Sequence, residues 1–244
     1  MDVTPATAGH KKLSEVANAR TIFLVSVGVT ALLYAVPYGQ YVAYPLLLLS
    51  TLVHELGHGL TAVLMGGDFE SFKMWADGSG VAMHSGRYGA VAAAMVSAGG
   101  LVGPAVGAAV GLTCARRTLS SRVFLYIIGG GLALSLLLVV RNPFGWVFVG
   151  AVAAICLFIA AKANGDIAQI AVMFLSVQLA LSVFSRSDYL FTAEAQTANG
   201  VMPSDVQQMS NALGGPYWFW GAVCAALSVA VLGVGAFSLL RKNR

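Results

Sequence analysis

Charge is what this sequence lacks. Only 10% of its 244 residues are Asp, Glu, Lys or Arg, while 58% are hydrophobic; a soluble domain usually carries about 25% charged residues. That shortage sets aside a water-soluble globular fold and points to a membrane-embedded one. Paired cysteine is lacking as well. Cys114, Cys156 and Cys224 are far apart, in or beside apolar runs, which excludes a CxxC metal pair and a disulfide framework and leaves three small buried hydrophobes. The net charge of +4 comes from basic residues at the ends and in short loops. This is a membrane-flanking pattern, not a nucleic-acid stripe.

What the chain has instead is long apolar runs. A membrane span needs about 20 apolar residues at about 1.5 Å each, and spans are expected at 21–37, 44–65, 88–112, 123–140, 144–161, 167–184 and 217–239. Backbone in lipid must satisfy its own hydrogen bonds, so each should be a helix. The expected fold is an all-α polytopic membrane protein of about six or seven transmembrane helices. It divides into a polar tail 1–20, a single membrane-embedded domain 21–240 and a basic tail 241–244. Lys11, Lys12 and Arg20 precede the first apolar run as in a signal peptide, but no small-x-small site follows; an uncleaved first span is expected.

Three segments break the apolar pattern. Between the second and third spans, Gly66 to Arg87 reads GGDFESFKMWADGSGVAMHSGR. Its Asp77-Gly78 turn signal and short apolar alternation predict a small β-hairpin at the membrane edge. The third span carries Gly99, Gly103, Gly107 and Gly111, a ridge that lets another helix approach closely. The longest polar stretch after the N-terminus, 185–216, holds Asp188, Glu194 and a Pro203-Ser204-Asp205 helix start.

The second span contains His54-Glu55-Leu56-Gly57-His58, an HExxH motif. Positions four apart on a helix lie one turn above each other, so both imidazoles can grip one zinc ion while Glu55, one step round, serves as general base and acid. His54 lies about 15 Å along the helix from Tyr44, near mid-bilayer. Ionisable residues are costly at that depth and point to function. Zinc comes first among metals because imidazole and carboxylate suit it.

Val53-His54-Glu55-Leu56-Gly57-His58 in a span, followed by a glycine-rich hairpin segment, resembles the site-2 protease family of intramembrane zinc metallopeptidases. Arg141-Asn142-Pro143-Phe144-Gly145, Ser187-Asp188, and Ser204-Asp205 followed by Gly214-Gly215-Pro216-Tyr217-Trp218 are similar to a compact bacterial branch of it. The resemblance implies cleavage of peptide bonds in membrane-embedded or membrane-adjacent protein segments, and a multi-pass protein of a bacterial plasma membrane.

A catalytic zinc usually has three protein ligands. A His six residues after His58 would be one solution, but that position is Leu64; a Glu on a later helix would be another, but none occurs between Glu70 and Glu194. The family takes an Asp from an Asn-Pro segment, and here Asn142-Pro143-Phe144-Gly145 has none. Asp188 is the first candidate, after a span in which Gln178 is an isolated polar residue. Asp166, which could equally cap a helix, Asp205, His84 and Asn142 are the alternatives. His84 reads first as a surface or substrate-contacting group. Two rival functions stand beside the peptidase: a non-catalytic metal- or client-binding relative, favoured by the missing Asp, and a metal transporter. The hairpin edge along 69–75 is the expected handle for an extended substrate.

Overall fold

The computed structural model describes residues 21–241 except 34, 186, 198 and 199; the expected tail 1–20 and all but the first residue of the expected tail 241–244 lie outside the described residues. Among the described residues, six helices are long and apolar enough to cross a membrane. They are α2 (Gly39–Leu64), α3 (Ala90–Cys114), α4 (Thr118–Leu138), α5 (Pro143–Lys162), α6 (Gly165–Ser185) and α8 (Tyr217–Leu240). The first expected span appears as a shorter apolar helix, α1 (Thr21–Leu33). Two antiparallel hairpins interrupt the helices: β1 (Asp68–Met74) with β2 (Gly80–Ser85), and β3 (Glu194–Thr197) with β4 (Gly200–Pro203). A 3-10 turn, Ser187–Phe191, and a short helix, α7 (Asp205–Leu213), flank the second hairpin. The chain is thus an α-helical polytopic membrane protein with a hairpin after the HExxH helix, as expected.

α3 is the hub, packed by α2, α6, α7 and α8. Its glycines explain why. A Cβ on Gly57 would stand 2.3 Å from the Gly99 carbonyl oxygen, one on Gly111 would meet Ser176 Oγ at 2.1 Å, and one on Gly235 would meet Ala109 Cα at 2.6 Å. The ridge therefore receives α2 near its start, α6 further on and α8 from another side, and small residues permit backbone-to-backbone approach without a hydrophobic driving force.

The first hairpin is not at the membrane edge. From the end of α2 it doubles back along that helix, so that Gly78 at its turn packs against Leu47 and Thr51 Oγ1 donates to the Gly78 carbonyl at 2.7 Å. Phe72 and Met74 are fully buried, in one cluster with Leu48, Leu52, Leu132, Val140 and Val149. Strand backbone at membrane depth is tolerated where protein covers it, and here α2, α4 and α5 do so. The outer edge of β1 is closed: Phe72 N–H donates to the Val139 carbonyl at 2.7 Å, and Arg141 N–H donates to the Phe72 carbonyl at 2.9 Å. Asn142 extends the closure by clasping the backbone N–H and carbonyl of Met74. The expected substrate handle along 69–75 is therefore already paired, and the hairpin's other edge is β2, where the Ala82 N–H donates to Glu55 Oε2.

Candidate metal centre

α2 carries His54, Glu55 and His58 on a buried face; each is 8–9% exposed. The His58 ring fits because α3 offers no side chain there: a Cβ on Gly100 would lie 2.2 Å from His58 Nε2. His58 Nδ1 stands 2.9 Å from the Val96 carbonyl oxygen. A carbonyl accepts and cannot donate, so a proton is on Nδ1 and Nε2 is turned toward Asp205. Metal-binding imidazoles are commonly fixed in this way.

The third group at this point is Asp205, the first residue of α7. Its Oδ2 lies 3.2 Å from His54 Nε2 and its Oδ1 lies 3.3 Å from His58 Nε2, while the two Nε2 atoms are 3.1 Å apart. Asp205 is 5% exposed, and Oδ2 makes no directed hydrogen bond despite its nearness to His54. Burial alone would raise its carboxyl, but the charge of His58 and the approach of His54 and His58 outweigh it and hold the group well below the usual range. Electron-pair donors converging in a dry space repel one another unless a proton or a metal cation lies between them. Donors about 2.0–2.1 Å from a tetrahedral zinc stand about 3.3 Å apart; the two Nε2 atoms are 3.1 Å apart, with a different carboxylate oxygen of Asp205 near each. The donor set fits the metal.

α7 is placed by packing and by its cap. Val206 and Met209 are buried with Ala94, Leu101, Leu190 and Cys224. Ser204 Oγ accepts from Gln207 N–H at 3.2 Å and donates to the Thr192 carbonyl at 2.6 Å, while its backbone N–H donates to Ala193. The helix-start role expected for Asp205 and its place beside the imidazoles are one arrangement.

Asp166, Asn142 and His84 go elsewhere. Asp188 lies in the 3-10 turn, with its side chain outside the described residues; its neighbour Tyr189 is what meets His54, ring edge to face at 5.9 Å. Asp166 is exposed in the first turn of α6, three residues before Gln169, which bonds the Ala115 carbonyl. That end of α3 is about 22 Å along the helix from Gly100. Asn142 is spent on Met74. His84 sits on β2, outside the donor trio; burial holds its imidazole below the usual value, the charge of His58 lowers it further, and Glu70 and Asp205 act the other way. Glu55 Oε2 accepts the Ala82 N–H at 2.7 Å. The hairpin thus orients the motif's carboxylate, a contact invisible in the sequence, as were the Val96 carbonyl and the clearance at Gly100.

The family model described as Peptidase M50B-like matches residues 25–235. The chain belongs to that family, the site-2 proteases. No curated protein and no solved structure matches it. As an M50B-like member it falls among metallopeptidases, and His54, His58 and Asp205 form the group that could hold the metal.

Proposed function

We propose that this M50B-like protein is an intramembrane zinc endopeptidase that hydrolyses peptide bonds in membrane-embedded or membrane-adjacent protein segments. The observation carrying the reading is the convergence of His54 Nε2, His58 Nε2 and a carboxylate oxygen of Asp205 in a buried pocket, with Glu55 adjacent. His54, His58 and Asp205 would hold the zinc, which would supply a Lewis acid for the carbonyl and a lowered water pKa of about 7. Glu55, held by the Ala82 N–H through one oxygen, uses its carboxylate to take the proton of the attacking water and return it to the leaving amine. Val96 keeps His58 Nε2 turned toward Asp205.

A transmembrane helix must unwind before its carbonyl can react, because its own hydrogen bonds occupy it. The β2 edge suits an unwound strand. Phe72 and Met74 direct their backbone groups to Val139, Arg141 and Asn142. Their partners Ala82 and Gly80 accordingly turn their own N–H and carbonyl groups to the opposite side. An extended peptide pairing there would pass beside Glu55.

The missing Asp beside Asn142, which spoke for a non-catalytic relative, loses its weight once Asp205 stands against both imidazoles. Purified protein tests the proposal. The expected result is one zinc per chain and cleavage of a transmembrane peptide, with Glu55→Gln keeping the metal and losing about 1,000-fold or more in rate. Stoichiometric zinc with no cleavage by the wild type would leave only a binding protein, and metal flux in vesicles would make it a transporter.

A further inference from the structure

Among the described residues, His84 is the one histidine outside the donor trio. Three observations place it. Along β2, side chains alternate with period two, and a Cβ on Gly80 would meet Thr51 and Glu55 of α2; Gly80, Ala82 and His84 therefore share the face turned to that helix. Phe69, the strand partner of His84, lies against Gly59, since a Cβ there would strike its ring at 2.3 Å. This sets His84 level with the turn that follows Glu55 and contains His58. Finally, the strand register slips between Phe69 and Ser71, so Glu70 is an extra residue opposite the His84 end of β2. A bulge of this kind re-aims the side chains beside it.

The His84 ring is left with an unmet requirement. Its Nδ1 is shut off from solvent and has no hydrogen-bond partner among the described residues. A buried imidazole nitrogen without a partner carries a desolvation cost, which a native structure tolerates where a ligand supplies the missing group.

We propose that His84 is a catalytic residue that donates a hydrogen bond to the scissile carbonyl oxygen as it becomes the tetrahedral oxyanion. This rests on the peptidase reading and goes beyond it. In a water-poor pocket a preset donor aimed at developing charge is among the strongest contributions to rate. The placement on β2 adds register: the strand edge that would hold the peptide also carries the donor.

The test uses wild type, His84→Ala, His84→Gln and Glu55→Gln in detergent micelles. Zinc content is measured, with cleavage of a quenched-fluorescent transmembrane peptide that the wild type cuts. Affinity is measured for the same peptide carrying a phosphinate at the scissile bond. His84→Ala should keep its zinc, lose roughly 100-fold in kcat with KM within about twofold, and bind the phosphinate roughly 100-fold more weakly. His84→Gln, which restores an N–H donor, should recover about tenfold of that loss. Zinc loss in both His84 variants, a kcat within about threefold of wild type, or a change confined to KM would each overturn the assignment. These outcomes leave the peptidase reading standing. Cleavage by Glu55→Gln at the wild-type rate would instead remove that reading, and His84 with it.

Discussion

α2 and α7 bring donors to the same point, but they are held there by different means. α2 is a 26-residue helix enclosed by the hairpin on one side and α3 on another. The spacing of its two imidazoles follows from four residues of helix, while α3 supplies the Val96 carbonyl and the clearance at Gly100 that set the His58 ring. α7 has nine residues and contributes a single carboxylate from its first turn. It is seated by two buried side chains and the hydrogen bonds of Ser204. The candidate site is therefore a preset pair faced by a docked carboxylate. Closing it costs the ordering of a distant segment, so metal binding and α7 docking should stabilise each other by mass action.

The largest way to break this comparison is to remove the docked donor. Asp205→Ala should lower zinc affinity by more than the 10–100-fold typical of losing a partner that merely orients a ligand. Cleavage should fall by more than about 1,000-fold, because nucleophile generation and carbonyl polarisation go together. Asp188→Asn should change neither. Zinc titration and peptide cleavage on both variants decide the matter; the reverse pattern would reduce Asp205 to a helix start.

Next in size is a strike at the preset pair from α3. Gly100→Ala places a methyl 2.2 Å from the unsubstituted position of His58 Nε2, whereas Gly103→Ala meets nothing closer than 3.5 Å. The His58 ring must shift in the first variant, and a displacement near 1 Å at a catalytic group costs about 100-fold in rate. Gly103→Ala should stay within about threefold of wild type, as expected for a substitution with ordinary van der Waals contact. Equal rates for the two would show that the His58 ring does not need that clearance.

The same division explains how much could be read from residues alone. His54, Glu55 and His58 were legible because their spacing is local and the helix supplies the geometry. The hairpin was legible from Asp77-Gly78 and its alternation, but its depth was not. Whether Phe72 and Met74 are buried depends on Leu48, Val140 and Val149, which come from elsewhere in the chain. The glycine ridge announced close helix contacts without naming the partners. Asp205 was a candidate behind Asp188 because a Pro-Ser-Asp helix start looks the same whether its carboxylate meets water or two imidazoles. The second hairpin gave no signal, being two four-residue strands without sustained apolar alternation.

The smallest effect expected separates docking from ligation. Ser204→Ala leaves Asp205 in place but removes the cap on Gln207 N–H and the link to the Thr192 carbonyl. Loss of an N-cap costs about 1 kcal/mol. If α7 must be docked for Asp205 to reach the imidazoles, that cost appears as a zinc affinity weaker by about fivefold. With saturating zinc the docked state is restored, so kcat should return to the wild-type value. A rate deficit that persists at saturation would mean that Ser204 also shapes the bound geometry, and an unchanged zinc affinity would mean that α7 stays seated without its cap. The corresponding change on the other support, Thr51→Val, removes the Thr51 hydroxyl from the Gly78 carbonyl, loosening the hairpin turn and leaving both imidazoles where the helix puts them. Zinc affinity should then hold within about twofold, since the substitution leaves the ligands and their orienting carbonyl intact. A fivefold response at Ser204 against none at Thr51 is the outcome the two kinds of support predict, read by the same zinc competition assay.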